Sequence, residues 1–341
     1  DCYGPVERWD VSKVTDMRSL WSNYVDFNVD LSTWDVSSVT NMEMMFYYNS
    51  AFNGDLSEWD VSNVKNMSAM FEGAASFEGR GLSEWVVSSV TNMASMFSGD
   101  FAFNCDLSNW NVSRVRDMYA MFNEAGSFEG KGLKGWTVSR VSDMSYMFHD
   151  AKAFNADLSW WNVLEVTNMN SMFYGATSFK GLQLHWFVHV VINMSEMFRG
   201  ATSFEGLGLT GWDVSKVVYM DGMFRDATKF NADLSPWKVS SVGTFENMFK
   251  GAIAFNADLS QWKMSSVKQE TAMLGMFDGA TVFDPPLVPM FDQYGAQWTP
   301  ESLEKHRAAW RAPDSKSWYV RKRERVRSAA LAAAALAAAL P

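Results

Sequence analysis

Apolar and polar residues follow one another along this chain in a pattern that returns every 25 or 26 residues. A regular copy runs from Leu31 to Phe52, and the next copy begins at Leu56. A fixed period of this length is typical of a solenoid, in which successive coils stack on one another. A tryptophan heads each copy, at Trp9, Trp34, Trp59, Trp85, Trp110, Trp136, Trp161, Trp186, Trp212, Trp237 and Trp262.

The spacing of apolar residues changes within each copy, which predicts two kinds of local structure. Residues 31–36 have the spacing of a short strand in a leucine-rich-repeat coil, whereas the methionines and phenylalanine of 42–46 recur at helical spacing. Asn41 precedes the first methionine and would accept hydrogen bonds at a helix start. Glycines that suit a left-handed helix end follow at Gly73, Gly99, Gly175, Gly200 and Gly251.

One coil alone buries too little apolar surface to offset the entropy of ordering it, so stability must come from stacking. The sequence therefore predicts an α/β repeat, a solenoid of about 11 coils with one short strand and one short helix per coil. We divide the chain into an N-terminal cap (1–8), the solenoid (9–283), a proline-rich C-terminal cap (284–300) and a basic, alanine-rich helical tail (301–341).

Composition supports a folded body and disfavours nucleic-acid binding. Apolar residues make up 48% of the chain, which is ample material for a core. The net charge of −10 divides into −15 for residues 1–300 (20 Lys/Arg minus 35 Asp/Glu) and +5 for the tail (9 minus 4). An acidic body argues against a nucleic-acid groove. Two cysteines make no disulfide framework, and Cys105 is predicted to be a small interior residue.

The repeat resembles a known family. The pattern Trp-Asp-Val-Ser-x-Val-Thr-Asn-Met-x-x-Met-Phe, followed by Phe-Asn-x-Asp-Leu-Ser, is similar to the 26-residue surface-protein repeat of the BspA-like leucine-rich-repeat family, and it covers about four fifths of the chain. The resemblance implies a right-handed leucine-rich-repeat-like solenoid that acts by protein contact. It implies no catalytic motif, and the family is common on bacterial surfaces and expanded in some unicellular algae.

The eighth coil departs from the pattern and is the predicted partner-binding site. Phe187 stands where other coils have an aspartate, and equivalent positions of neighbouring coils stack about 5 Å apart. These substitutions should therefore form an apolar patch across coils seven to nine. Contact with the chain's own tail and neutral sequence drift are the two alternatives. The predicted patch contains Leu164, Phe187, Val190, Ile192, Val218 and Tyr219.

The tail combines a basic cluster with a short apolar stretch. Its last 13 residues would rise only about 20 Å as a helix, which is too short to cross a bilayer core of about 30 Å. Such a segment suits an anionic membrane surface or a groove in a partner protein. The predicted anchoring residues are Arg321, Lys322, Arg323, Arg325, Arg327, Leu331, Leu336 and Leu340.

The sequence offers little chemistry for catalysis or metal binding. The aspartates of the Asn-x-Asp motifs do not form a continuous ladder, so turn capping is a better explanation than calcium binding. His185 and His189 would lie about 13 Å apart on a strand, too far to share a metal. We find no phosphate loop, nucleophile elbow or metal-ligand cluster. We therefore predict no enzyme activity, no cofactor, no metal and no small-molecule substrate.

These observations predict a structural linker or scaffold that binds other proteins, as a subunit of a larger membrane-associated assembly. A photosynthetic membrane complex of an alga is one setting that fits. The alternative is a secreted adhesion or recognition protein of the cell surface, which the family resemblance alone would favour. The sequence leaves the location open between an organellar membrane, such as that of the chloroplast, and the cell surface.

Overall fold

The repeating unit of the fold is a coil whose backbone is hydrogen-bonded to the coils before and after it. A computed structural model describes residues 4–267 and 270–283. Nine parallel bridges join equivalent residues of successive coils, from Asp16 to Thr244. Beyond them, the N–H of Asn247 donates to the carbonyl of Leu274 at 2.9 Å. The chain is therefore a solenoid of tandem repeats, as predicted.

After each bridge, the backbone forms a ribbon of consecutive tight turns. The N–H groups of this ribbon point alternately in two directions: Met44 donates to the carbonyl of Ser68 in the next coil at 2.9 Å, and Tyr47 donates back to the carbonyl of Met44 at 3.2 Å. Left-handed residues, such as Met44 (φ 56°) and Tyr48 (φ 52°), make this alternation possible. Because every second N–H bonds to the next coil, the i→i−4 bonds of an α-helix cannot form.

The predicted strand and helix of each coil are both wrong for the described residues, which contain no α-helix and no strand longer than an isolated bridge. Successive i→i−3 turns also bring residues three and four apart to one side, which explains the helix-like spacing. The left-handed conformation of the five glycines is confirmed, with φ from 64° to 73°. Short 3₁₀ helices lie elsewhere, at Val6–Arg8, Leu82–Glu84, Leu133–Gly135, Leu209–Gly211 and Glu270–Met273.

Three of these 3₁₀ helices follow a closing turn that contains two glycines. Gly81, which precedes Leu82–Glu84, has a φ of 86°. A side chain at this position would also collide with the backbone of Ser57 in the preceding coil. Both the left-handed backbone and the close approach therefore require glycine here.

The core consists of columns of identical side chains that run through the stack. Trp59 is buried, and its Nε1 donates to the carbonyl of Leu31 in the preceding coil at 3.0 Å. Ring centroids of seven neighbouring tryptophan pairs are 6.1–6.5 Å apart. In the N-terminal segment, the carbonyl of Val6 accepts the same bond from Trp34 at 3.1 Å. Each coil thus satisfies a polar atom of its neighbour while covering its apolar face.

Aspartate and asparagine side chains hold the turns between these columns. Oδ1 of Asp55 accepts from the N–H of Ser57 at 2.9 Å, and Oδ1 of Asn53 accepts from the N–H of Glu78 in the next coil at 3.1 Å. The turn-capping role is therefore confirmed. Within residues 4–267 and 270–283, no three His, Cys, Asp or Glu side chains are grouped as a metal site. The same Asp–Ser bond is formed by Asp30, Asp106, Asp157, Asp233 and Asp258.

Cys105 packs at a close contact between coils. A Cβ atom added to Gly79 would lie 2.7 Å from its Cβ atom, and the side chain is half-buried against the core. Burial raises the pKa of the Cys105 thiol to about 11, so the group is a neutral thiol at physiological pH. Cys105 is thus a small side chain packed against the core, as the sequence predicts.

Two predicted segments, 284–300 and 301–341, lie outside the described residues, together with the anchoring residues of the tail. In the part of the chain that the structure describes, no helix has the length and apolar character needed to cross a membrane.

Candidate functional site

The most exposed of the predicted binding residues is Phe187. Its neighbour Trp186 is buried and donates Nε1 to the carbonyl of Leu158 at 2.9 Å, whereas the Phe187 side chain is 73% exposed. In the third coil the same position is Asp60, whose Oδ1 accepts from the N–H of Ser62 at 3.0 Å. Phe187 thus replaces a turn-forming carboxylate with an aromatic ring that the fold does not require.

A tight turn separates the predicted residues of the eighth coil into two groups. Val188 and Val191 are buried, and the N–H of Val191 donates to the carbonyl of Val188 at 3.0 Å. Phe187 therefore precedes this turn and Ile192 follows it, while Val190 is half-buried within it. The sequence pattern could not place this turn because it predicted a strand here.

The hydrogen bonds between coils bring part of the predicted patch together. The N–H groups of Val218 and Tyr219 donate to the carbonyl of Ile192, at 2.9 and 3.3 Å. Ile192 and Tyr219 are exposed at the start of the ribbon, and Val218 is half-buried between the coils. Leu164 is exposed within the tight turn that follows the tryptophan of the seventh coil, whereas Phe187 precedes the corresponding turn of the eighth. The hydrogen bonds therefore join only the part of the predicted patch that contains Ile192, Val218 and Tyr219.

The structure adds exposed apolar residues that the sequence analysis missed. Trp160, next to the buried Trp161, is 76% exposed where the third coil has Glu58. Leu182 and Leu207 are exposed in the closing turns, at the position held by basic residues in earlier coils. Aligning the coils column by column would have revealed all three. We use the name corner patch for Trp160, Leu164, Leu182, Phe187 and Leu207.

An open groove of about 580 Å³ adjoins the corner patch beside Leu207. Its other lining residues include Glu205, Thr210, Lys229 and Asp233. The Oγ1 of Thr210 donates to the carbonyl of Asp233 at 2.9 Å, which connects the two coils across the groove. The corner patch therefore has a polar border on this side, as interfaces commonly have around an apolar centre.

The ribbon carries a second group of aromatic and charged side chains. Ring centroids of Tyr119 and Tyr146 are 5.9 Å apart, and those of Tyr146 and His149 are 5.4 Å apart. His149 stacks on Tyr174 at 4.4 Å, and the guanidinium of Arg199 lies 4.9 Å from the centre of the Tyr174 ring. The sequence analysis missed this group because it assigned the ribbon to a helix and considered only its buried face.

Burial and nearby charges oppose each other at His149. Desolvation lowers the pKa of the imidazole, because burial disfavours the charged form, while the carboxylate of Asp150 acts to raise it. The Nδ1 atom lies 3.6 Å from a carboxylate oxygen of Asp150. Because the net shift is downward, the ring stacked on Tyr174 is neutral at pH 7.

A buried carboxyl group in the fourth coil is unusual among the interior positions. Asp100 has no exposed surface and occupies the position of Ala74 and Ala125 in the neighbouring coils. The backbone N–H groups of Ala102 and Phe103 lie near it, but neither carboxyl oxygen accepts a hydrogen bond of ordinary geometry. Burial raises the pKa of Asp100 well above its usual value. The carboxyl group is therefore enclosed in the core of the stack.

Comparison with known proteins assigns the chain to a family. The family described as "Mycoplasma protein of unknown function, DUF285" matches residues 2–98, 75–186 and 180–291. The chain belongs to this family. Three successive matches agree with the tandem repeats of the fold. The narrower assignment to BspA-like proteins stays a prediction, and no curated protein matches the chain.

Several solved structures are similar to this chain at low sequence identity. One is the protein chain of a TLR13–ssRNA13 complex, with 10% sequence identity and a TM-score of 0.22. The match includes 80% of the present chain and 45% of the TLR13 chain. Internalin InlF of Listeria monocytogenes has 8% identity and a TM-score of 0.21, and the match includes 70% of the present chain and 75% of InlF. InlJ of the same organism has 10% identity and a TM-score of 0.24, and the match includes 71% of the present chain and 59% of InlJ. The chain thus spans less than half of the TLR13 chain.

Proposed function

We propose that this chain is a non-catalytic scaffold that binds a partner protein through the corner patch, as a linker within a larger assembly. The observation that carries the proposal is the exposure of Trp160 and Phe187 on adjacent coils. In the third coil the same two positions hold Glu58 and Asp60, so the stack folds equally well with acidic residues there.

The two rings offer enough apolar surface to act as anchors. If a partner covers about 150 Å² of each ring, the gain is about 4 kcal/mol per ring at ~25 cal/mol per Å². Part of this gain offsets the entropy of association. Buried aromatic residues of this kind commonly dominate the energy of an interface. Ile192 and Tyr219 are a second pair of exposed apolar side chains, which a backbone hydrogen bond brings together at the start of the ribbon.

The test replaces both anchors with the residues of the third coil. A Trp160→Glu, Phe187→Asp double variant should keep its thermal stability and lose partner binding by roughly 30-fold or more. Val86→Asp is the matched control, because Val86 occupies the Phe187 position of the fourth coil and is 56% exposed outside the patch. Quantitative crosslinking mass spectrometry on tagged protein in its native host measures the partner. Equal crosslinking by the double variant and the control would overturn the proposal.

The assembly is proposed to be membrane-associated on the basis of the tail alone. The basic and apolar tail residues suit an anionic surface or a groove between partner helices. Deleting residues 317–341 should release the protein from membranes without unfolding the solenoid. Co-sedimentation of the truncated protein with membranes, at the level of the full chain, would refute this part of the proposal.

Adhesion at the cell surface is the second candidate function, favoured by the resemblance to surface-protein repeats. Extraction distinguishes the two. A linker leaves the membrane within a complex of defined size, whereas an adhesin is labelled from outside intact cells by a membrane-impermeant reagent.

A further inference from the structure

One column of the ribbon carries three positive charges on consecutive coils. The column consists of the residue that follows Met-Phe in each coil, and in coils eight to ten it holds Arg199, Arg225 and Lys250. Backbone bonds place these residues side by side: Gly200 donates to the carbonyl of Arg225 at 2.7 Å, and Asp226 donates to that of Lys250 at 2.6 Å. We call these three residues the cationic stripe.

The fold does not require cations in this column. In coils two to five the same position holds Tyr47, Glu72, Ser98 and Asn123. Like charges about 5 Å apart repel one another, and ion pairs with Glu196 and Asp226 relieve this repulsion at the two arginines. Because the stacking does not need these cations, their recurrence on three consecutive coils points to an anionic ligand.

Local contacts orient the two arginines of the stripe. Arg199 pairs with Glu196 and lies over the Tyr174 ring, and Arg225 pairs with Asp226 at 3.3 Å. Within the described residues Lys250 forms no ion pair. The two arginine side chains are about one quarter exposed and are therefore held against the surface, which reduces the entropy that a ligand would have to overcome.

Acidic residues close to the stripe restrict the kind of ligand. Glu196, Asp221 and Glu246 lie in the neighbouring ribbon columns of the same three coils. They would repel a uniformly charged strand such as a nucleic acid, as would the acidic body of the solenoid. A peptide that presents carboxylates along one edge only can reach the stripe without this repulsion. Arginine is also well suited to carboxylates, which its planar fork can bind through two hydrogen bonds.

We propose that the cationic stripe binds a short, extended acidic segment of a partner protein, which lies along the axis of the solenoid. The stripe belongs to a different surface from the corner patch, so the proposal stands or falls independently of the proposed function. Tyr174 and His149 continue the same column and form an aromatic end to the binding surface.

The probe is a fluorescein-labelled peptide in which glutamate and serine alternate, so that an extended chain carries its carboxylates on one edge. Its binding is followed by fluorescence anisotropy at low salt. The full chain should bind it, and the affinity should fall as salt is added. An Arg199→Gln, Arg225→Gln, Lys250→Gln triple variant should bind roughly tenfold or more weakly. Lys250→Gln alone, which disturbs no ion pair among the described residues, should lose part of this affinity.

The control is a Lys65→Gln, Lys152→Gln, Lys216→Gln triple variant. It has the same net charge as the stripe variant, but its three exposed lysines are dispersed over separate parts of the surface. It should bind the peptide within about twofold of the wild type, since it alters only long-range charge. Three results would each overturn the proposal: no peptide binding by the wild type, an equal loss in both triple variants, or tighter binding of an oligothymidylate of equal charge.

Discussion

The unpaired carboxyl group of Asp100 should make the fourth coil the least stable part of the stack at neutral pH. We predict that Asp100→Ala stabilises the protein. A buried polar group without a partner costs about 1–3 kcal/mol. The change also removes about 20 Å³ of side chain, and a cavity of that size costs about 0.5 kcal/mol. The expected gain is therefore about 0.5–2.5 kcal/mol.

The melting temperature, measured by circular dichroism, should rise by about 1–6 °C for a chain of this size. The rise should depend on pH. Because the folded-state pKa of Asp100 is raised, the unfolded chain releases this proton first, and wild-type stability falls as pH increases above the ordinary value of about 3.9. Asp100→Ala lacks this loss, so its advantage should be small near pH 4 and grow toward pH 7.

Asp100→Asn is the matched control, because it removes the ionisation while it keeps a polar side chain of nearly the same size. Its advantage over the wild type should also grow with pH, and it should remain below that of Asp100→Ala. A melting temperature of Asp100→Ala equal to or below that of the wild type at pH 7 would refute the reasoning. An advantage that does not change between pH 4 and pH 7 would show that Asp100 is not the titrating group.

Three further predictions concern the packing between coils. Gly81→Ala should destabilise the protein by several kcal/mol or prevent folding, whereas Gly135→Ala, whose added Cβ meets no atom within 4 Å, should change stability little. Thermal melts of the two variants test this, and equal losses of stability would contradict the close contact at Gly81. Trp59→Phe should cost about 1–3 kcal/mol, because the carbonyl that accepts its Nε1 proton loses its partner, and urea denaturation measures this. Burial raises the pKa of the Cys105 thiol, so in a Cys2→Ser variant this thiol should react with a thiol reagent at pH 8 far more slowly in the native protein than in denaturant. Comparable reaction rates in the two conditions would show that the fold does not protect the thiol.

Several features of this protein follow from the sequence because they depend on identity and period alone. Trp34, Val36, Met42 and Phe52 recur at a fixed interval, and only a stack of coils can bury so many equivalent side chains. The turn-capping role of Asp55 follows in the same way, since its side chain reaches a backbone N–H two residues away whatever the rest of the chain does.

Only the tertiary structure decided how each coil is built. Residues 42–46 have the spacing of a helix, but the N–H of Met44 bonds to the next coil, and this contact lies outside the local sequence. Both sources contribute at the paired tryptophans Trp160 and Trp161, of which the first is exposed and the second is part of the core. The repeat period identifies Trp161 as the core residue. Only the structure shows how it is buried, because the preceding coil supplies the carbonyl that accepts its Nε1 proton and the following coil supplies the ring that stacks on it.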